Sequence, residues 1–107
     1  MRQIILKPTL EFGSRCDFAI IDVTECAKAS AANPSGGKQR GTITIDYSPA
    51  DIRQLLAEGK DLTGALDYYR TRIYDLVKYY ISGDWECVQG FDEAIDIITK
   101  HIGSSFE

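Results

Sequence analysis

Three cysteines and one histidine are the residues of this sequence that could perform nucleophilic catalysis. A cysteine nucleophile needs a base beside its sulfur, and His101 is the only histidine available to Cys16, Cys26 or Cys87. No spacing places a cysteine near His101, which falls close to the end of a predicted helix, where the helix dipole favours a cation. The cysteines are odd in number and form no C-x-x-C pair, so we expect reduced thiols without a disulfide or zinc site. The sequence therefore predicts no catalytic dyad, no metal and no other cofactor.

A glycine-rich segment before the third predicted strand has some features of a phosphate-binding loop. It reads Pro-Ser-Gly-Gly-Lys over residues 34–38. The signature G-x-x-x-x-G-K-[ST] is incomplete, because alanine stands where the first glycine belongs and Gln39 follows Lys38. The segment is therefore not a Walker motif.

Acidic residues are concentrated in the last quarter of the chain. Residues 84–107 hold six Asp or Glu against Lys100 as the one cation, whereas residues 1–83 hold ten against eleven Lys or Arg. Five of these acids form a predicted acidic surface: Asp84, Glu86, Asp92, Glu93 and Asp96. Such a surface suits contact with a basic protein. The alternative is that these acids only stabilise their own helix, because acids in a first helical turn complement the helix dipole and Asp96 is spaced to pair with Lys100.

Five of the six tyrosines lie between residues 68 and 80, in a stretch with the period of an amphipathic helix. At about 100° per residue, one face of this helix gathers the residues predicted to be covered: Leu62, Leu66, Tyr69, Ile73, Leu76, Val77 and Tyr80. Ile73 lies near the middle of that face and is expected to be fully buried. Tyr68 and Tyr79 fall together on its flank, because their separation is close to three full turns.

Arg72 and Asp75 lie between those two tyrosines along the helix axis. We call Tyr68, Arg72, Asp75 and Tyr79 the tyrosine ridge. We predict that it binds a protein partner, since aromatic rings around an opposite-charge pair are typical of interface hot spots. The alternative is that the rings only shield the rim of the core, with Arg72 lying over the ring of Tyr68. The ridge hypothesis requires Tyr68 and Tyr79 to be solvent-exposed in the free monomer.

The first half of the chain predicts a sheet. Residues 4–12 form an apolar strand that contains Pro8, which is expected at a sheet edge or a break because proline cannot donate to a ladder. Residues 17–24 are apolar on both faces of the pleat, as in a central strand. Residues 42–47 alternate between apolar and polar, as in a half-exposed antiparallel strand. Three strands in series favour a meander.

The second half predicts helices. Ser48, Pro49 and Asp51 combine an N-cap, a proline at the first helical position and an acid three residues after the cap. This helix is expected to end at Gly59 and to bury Ile52, Leu55 and Leu56. The long helix should run from Asp61 or Thr63 to Ser82. A short fourth strand at 85–88 is an alternative to a plain connector, and a last helix over 91–102 should bury Ile95, Ile98 and Ile102.

The length of 107 residues fits a single globular domain, strand-rich over 1–47 and helix-rich over 48–107. Residues 25–40 are small, polar and turn-forming, and we expect a mobile loop that is either functional or merely disordered. No segment is apolar enough to cross a bilayer, and the residues after Met1 lack a signal-peptide pattern, so we expect a cytoplasmic protein. The net charge of −4 argues against direct nucleic-acid binding.

These observations predict an α+β domain, a small antiparallel sheet of three or four strands with two or three helices packed on one face. The missing catalytic motif and the tyrosine ridge favour a non-enzymatic protein–protein interaction module, such as a small inhibitor or adaptor. In size and charge the chain resembles the compact inhibitors encoded by phages and other mobile elements, anti-CRISPR proteins among them. One alternative is a small enzyme or ligand-binding domain with a site between sheet and helices. Another is a structural subunit that self-associates through the tyrosine-rich helix.

Overall fold

The computed structural model describes residues 1–25 and 37–106. Seven strands and helices follow one another: β1 (Arg2–Glu11), β2 (Arg15–Asp22), β3 (Lys38–Asp46), α1 (Pro49–Ala57), α2 (Leu62–Tyr80), β4 (Trp85–Gln89) and α3 (Phe91–Ile102), and a 3₁₀ turn at Gly103–Phe106 comes last. The predicted α+β fold is confirmed. The loop predicted over 25–40 lies mostly outside the described residues, and β3 already begins within its predicted bounds, at Lys38.

Four strands form one sheet in the order β3-β2-β1-β4. β1 pairs antiparallel with β2, and β2 pairs antiparallel with β3, so the predicted meander and the central position of β2 are confirmed. β4 instead pairs parallel with β1, which makes the sheet mixed and corrects the prediction of a purely antiparallel one. The connection explains this difference. α1 and α2 form a crossover that carries the chain from β3 to the far side of β1, and a helical crossover is how parallel strands are joined.

Pro8 lies in a strand that has neighbours on both sides, but not along its whole length. β4 pairs only with the stretch of β1 from Arg2 to Ile5. Pro8 therefore lies beyond β4, where that side of β1 has no paired strand in the described sheet, and its pairing with β2 shifts register before Leu10. A missing N–H is tolerated at such a position.

The main core lies between one face of the sheet and the three helices. Alternate residues of β1, β2 and β3 point into it: Ile4, Leu6, Cys16, Phe18, Ile20, Ile43 and Ile45. The residues between them in β1 and β2 point to the other face, where a smaller buried cluster consists of Ile5, Ala19, Ile21 and Val23. The three helices thus share one face of the sheet, as predicted.

α1 begins as its sequence predicts. Ser48 is the N-cap, and its side chain accepts from the backbone N–H of Asp51. Ile52 and Leu55 are buried, but Leu56, which we predicted to be buried, is 44% exposed. A nine-residue helix presents a narrow face to the core, and Leu56 lies about 100° around the axis from Leu55.

α2 turns a narrow stripe toward the core, with Ala65, Tyr69, Ile73 and Val77 spaced four residues apart. Ile73 is completely buried, as predicted, whereas Tyr80 is 40% exposed and the prediction that it is mostly covered is wrong. The ring of Tyr80 lies over Gly41 of β3, close enough that a Cβ there would overlap it. The ring of Tyr80 therefore packs on β3 with part of its surface in solvent, and Ile81, just after the helix, is buried.

α3 has the bounds that its sequence predicts and buries Ile95, Ile98 and Ile102 together with Ala94. The predicted pair between Asp96 and Lys100 is wrong. Lys100 Nζ instead lies 3.3 Å from Glu11 Oε1, at the far end of β1. His101 Nε2 is 2.7 Å from the same oxygen, so one carboxylate joins the end of β1 to the end of α3.

A buried carboxylate joins three strand ends on the helix side of the sheet. The side chain of Asp22 is only 5% exposed, and its Oδ2 lies 3.4 Å from both Arg2 Nη1 and Arg40 Nη2. Thr24 donates its backbone N–H to the other oxygen at 3.0 Å. Burial alone raises the pKa of Asp22, but the hydrogen bonds from Thr24 and the two arginine charges outweigh it, so the net pKa is lowered.

Asp22→Asn should lower the free energy of unfolding at pH 7 by about 1.5–3 kcal/mol, the usual value of hydrogen bonds to a charged group. Because the folded pKa of Asp22 is depressed, its contribution is complete above the unfolded pKa of about 3.9 and is lost as pH falls through the lower folded value. Urea titrations at neutral and acidic pH measure both effects. The matched control is Asp67→Asn, since Asp67 is 69% exposed and its one ion pair among the described residues is with Arg70. Equal losses for the two variants would contradict this account.

Candidate functional site

The tyrosine ridge lies on the flank of α2, beside the face that packs into the core. Tyr68 is 46% exposed and Tyr79 is 84% exposed. Arg72 and Asp75 are exposed between them, and Tyr69, the neighbour of Tyr68, is buried. The exposure that the ridge hypothesis requires is therefore present at all four positions.

Each ridge tyrosine packs against the tyrosine next to it in the chain. The rings of Tyr68 and Tyr69 meet edge to face, with centroids 5.2 Å apart and planes inclined by 76°. Tyr79 and Tyr80 repeat the arrangement at 5.3 Å and 80°. Such pairs are a favourable aromatic geometry and restrict the exposed rings to fewer rotamers. Tyr68 thus packs on a core tyrosine and keeps 46% of its surface exposed, whereas Tyr79 packs on the partly covered Tyr80 and is 84% exposed.

The two charged residues of the ridge, Arg72 and Asp75, form no ion pair within the described part of the molecule. Arg70, on the same helix, instead pairs with Asp67 at 2.8 Å. The alternative that Arg72 lies over the ring of Tyr68 has no support either, because the described aromatic contact of Tyr68 is with Tyr69. Arg72 and Asp75 therefore remain available to an external partner.

The five residues of the predicted acidic surface are all exposed: Asp84, Glu86, Asp92, Glu93 and Asp96. Two of them belong to β4 and its approach, and three lie in the first turns of α3. Glu86 accepts a hydrogen bond from Gln3 Nε2 at 3.2 Å. The described residues include no cation paired with any of the five. The five acids lie on β4, its approach and α3, whereas the ridge lies on α2.

An aromatic cluster that the sequence analysis did not identify fixes β4 against the helices. The ring of Tyr74 lies 5.1 Å from that of Trp85 and 5.2 Å from that of Phe91, measured between centroids. These contacts join α2 to β4 and to α3. Tyr74 keeps 46% of its surface exposed. Its position off the apolar stripe gave no signal of this role, because the contact depends on where β4 pairs.

A small acidic recess lies where the end of β3, α1 and the start of α2 meet. The space in it that can hold a water-sized group is about 90 Å³. Apart from Leu55, polar and aromatic side chains line it: Asp46, Asp51, Gln54, Glu58, Tyr68 and Tyr69. This volume is below the usual range for small-molecule pockets and suits the end of one side chain. Sequence reasoning missed this recess because three separate elements supply its walls.

Tyr69 is the buried wall of the acidic recess. Its side chain is only 1% exposed, and its hydroxyl has no hydrogen-bond partner among the described residues. Burial, followed by the nearby carboxylates of Asp51 and Asp46, raises the pKa of Tyr69 above its ordinary value, so the phenol stays protonated. A buried polar group left without a partner costs about 1–3 kcal/mol. The recess therefore retains an unused hydroxyl at a cost in stability.

Ser48 positions two of the acids in the recess. Its backbone N–H donates to Asp46 Oδ1 at 3.0 Å, and its Oγ donates to Asp51 Oδ2 at 2.9 Å. Glu58, just after α1, supplies the third carboxylate. None of the three is paired with a cation in residues 1–25 and 37–106. The arrangement can accept several hydrogen bonds from a cationic group.

The candidate nucleophile Cys16 is in an unreactive environment. It is completely buried, and burial raises the pKa of its thiol to about 12. His101 stacks on Tyr47, with ring centroids 5.7 Å apart, and is bonded to Glu11. These contacts give His101 a structural role in joining α3 to the sheet.

Among the described residues, Cys87 forms no cysteine–histidine pair either. Burial likewise raises the pKa of Cys87, whose sulfur donates to the carbonyl of Gln89. Cys26 lies outside the described residues. No described cysteine is hydrogen-bonded to His101.

Two further features bear on the class of protein. Within the described ranges, no three His, Cys, Asp or Glu residues are grouped so that they could hold a metal ion. No helix among the described elements has the length and apolar character needed to span a bilayer.

Comparisons of this chain with models of protein families, with curated proteins and with solved structures found no match.

Proposed function

We propose that this chain is a non-enzymatic protein–protein interaction module, a small inhibitor or adaptor of the cytoplasm, and that its partner binds the tyrosine ridge. The observation that carries the proposal is the exposure of Tyr68 and Tyr79 on one flank of a helix anchored in the core. Large aromatic side chains left in water are unfavourable for a monomer and are enriched at interface hot spots.

The spacing of the ridge supports an interface of ordinary size. Tyr68 and Tyr79 are roughly 16 Å apart along the axis, from eleven residues at about 1.5 Å each. A partner that covers both rings covers a patch comparable to the central part of a standard interface. Because each ring already packs against its neighbour, it loses less rotamer freedom on binding. Arg72 and Asp75 between the rings supply charges that can pair across the interface.

The charge distribution favours a partner with a basic surface. The chain carries a net charge of −4, and five exposed acids lie on β4 and α3. Long-range attraction from such a surface speeds association and orients the partner before the ridge makes contact. The same property fits the small inhibitors of mobile elements that the chain resembles in size and charge.

The observed chemistry favours this proposal over a cysteine enzyme. Cys16 is buried with a raised pKa, and His101 is engaged by Glu11 and Tyr47. A thiol in that state is a poor nucleophile. Self-association through α2 uses the same ridge, so the test below includes it as an outcome.

Tyr68→Ala and Tyr79→Ala should each weaken partner binding by about 2 kcal/mol or more, roughly thirtyfold in Kd. The partner is first identified by affinity capture from the native host with mass spectrometry, and Kd is then measured for each purified variant. Both variants should keep the far-UV circular dichroism of the parent, because neither ring is in the core, and should lose only the roughly 0.5–1.5 kcal/mol of stability that an aromatic pair contributes.

The matched control is Phe12→Ala, an aromatic that is 56% exposed at the β1–β2 turn and belongs to no part of the ridge. Its binding should equal that of the parent. Unchanged affinity in both ridge variants would overturn the proposal. A dimer in light scattering that dissociates on Tyr79→Ala, with no other protein captured, would assign the ridge to self-association instead.

A further inference from the structure

The acidic recess beside the ridge has the properties of a built site rather than of a chance depression. Its buried wall, Tyr69, holds a hydroxyl without a partner in the described structure. Asp46 and Asp51 are fixed by hydrogen bonds from Ser48. An unpartnered phenol and fixed carboxylates around one recess supply oriented acceptors for a single ligand group.

The ligand that fits these groups is a cation with many hydrogen-bond donors. Three carboxylates line the recess, and no cation of the described residues neutralises them. An anion or an apolar group placed there would leave the carboxylates unpaired or repelled. The half-exposed ring of Tyr68 at the rim adds an aromatic face, on which a cation is also favoured.

We propose that the acidic recess receives the guanidinium group of an arginine side chain from the protein partner, an inference that rests on the proposed interaction function. Arginine carries five N–H donors and no acceptor, which matches the three carboxylates and the unpartnered Tyr69 oxygen. Its planar group also stacks on an aromatic ring and pairs with carboxylates in bidentate fashion. Because Tyr68 belongs to both surfaces, the ridge and the recess form one continuous contact.

The first experiment needs no partner. Nα-acetyl-L-arginine methyl ester, a single guanidinium on a neutral backbone, is titrated into isotopically labelled protein, and backbone amide shifts are followed by NMR. We expect saturable shifts that centre on residues 46–58 and 68–69. The citrulline analogue has the same shape without the charge and should give no saturable shift. Equal binding of the citrulline or lysine analogue would overturn the assignment to a guanidinium group.

Two conservative variants test the residues. Asp51→Asn and Tyr69→Phe should each weaken binding of the arginine probe about tenfold, as expected for loss of a hydrogen bond to a charged group. Tyr69→Phe should melt at or above the parent temperature, because it removes a buried hydroxyl that lacks a partner. The control is Tyr74→Phe, whose hydroxyl lies outside the recess and whose probe affinity should be unchanged. Unaltered probe affinity in both recess variants would overturn the inference.

The outcomes separate this inference from the proposed function. If Tyr79→Ala abolishes partner binding while Asp51→Asn and Tyr69→Phe leave it unchanged, the recess inference fails and the ridge remains the interface. If the probe binds and Tyr79→Ala leaves partner affinity unchanged, the recess is a guanidinium site and the ridge proposal fails. Loss of partner binding in both sets of variants supports the continuous contact.

Discussion

Replacing Gly90 with alanine is expected to destabilise the domain by about 2–5 kcal/mol, the sum of left-handed backbone strain and overpacking. Gly90 precedes α3 with φ +97°, a conformation that residues with a Cβ rarely adopt. An added Cβ would also come within 2.9 Å of the carbonyl carbon of Leu6 in β1, and closer still to its oxygen. Backbone cannot move aside as a flexible side chain can. The loss is measured by urea denaturation followed by circular dichroism.

Gly103→Ala is the matched control, at the other end of the same helix. Gly103 has φ −52° and ψ −44°, and nothing lies within 4 Å of the position of its Cβ. Alanine there should be neutral or slightly stabilising, because it restricts the unfolded chain without strain in the folded one. A Gly90→Ala protein as stable as the parent would show that β1 and α3 do not approach each other this closely.

Local patterns predicted most of the elements because each element buries a face with its own period. α3 has the predicted bounds, since its apolar residues recur at helical spacing and glycines flank it. In β3, Ile43 and Ile45 are buried while Thr42 and Thr44 are exposed, as strict alternation requires. These features depend only on neighbours in the chain.

The features that were missed depend on partners distant in the chain. The direction of β4 follows from the crossover through α1 and α2. The five residues of β4 do not themselves indicate whether the strand pairs parallel or antiparallel with β1. Leu56 stands at the margin of the buried face of α1, where periodicity cannot decide between core and surface. Tyr80 has nearly the azimuth of Ile73 but is the last residue of α2, where the helix leaves the core. For Tyr80 the deciding neighbour is Gly41, whose missing side chain leaves room for the ring. Lys100 likewise pairs across the fold with Glu11 rather than along its own helix.

In the candidate site too, the sequence predicted the features that depend on one helix and missed those that depend on several elements. The exposure of Tyr68 and Tyr79 followed from helical geometry alone, because azimuth relative to the apolar stripe determines which rings face water. The acidic recess could not be predicted from helical geometry, since Asp46, Asp51 and Tyr69 come from three elements. The sequence held one local signal of it, the cap formed by Ser48 and Asp51, which also orients a recess carboxylate. That the Tyr69 hydroxyl lacks a partner could be found only in three dimensions.

α2 therefore combines two tasks on one rigid element. Its buried stripe anchors the helix to the sheet and to α3, and its flank presents the ridge rings. A helix held in this way keeps Tyr68 and Tyr79 at a fixed separation, which lowers the entropy lost when a partner binds. Substitutions on the stripe should thus act on stability, and those on the flank should act on binding.

Ile73→Ala tests the stability half of that division and should lower the free energy of unfolding by about 2–5 kcal/mol, the usual cost of truncating a fully buried isoleucine. Ile73 is completely buried in the middle of the α2 stripe, so removing its outer carbons leaves a cavity with little freedom to close. Urea denaturation measures the loss. Leu56→Ala is the aliphatic control, since Leu56 is 44% exposed, and it should cost less than about 1 kcal/mol. A loss under about 0.5 kcal/mol at Ile73 would mean that a different face of α2 packs on the sheet, and the ridge would then no longer face solvent.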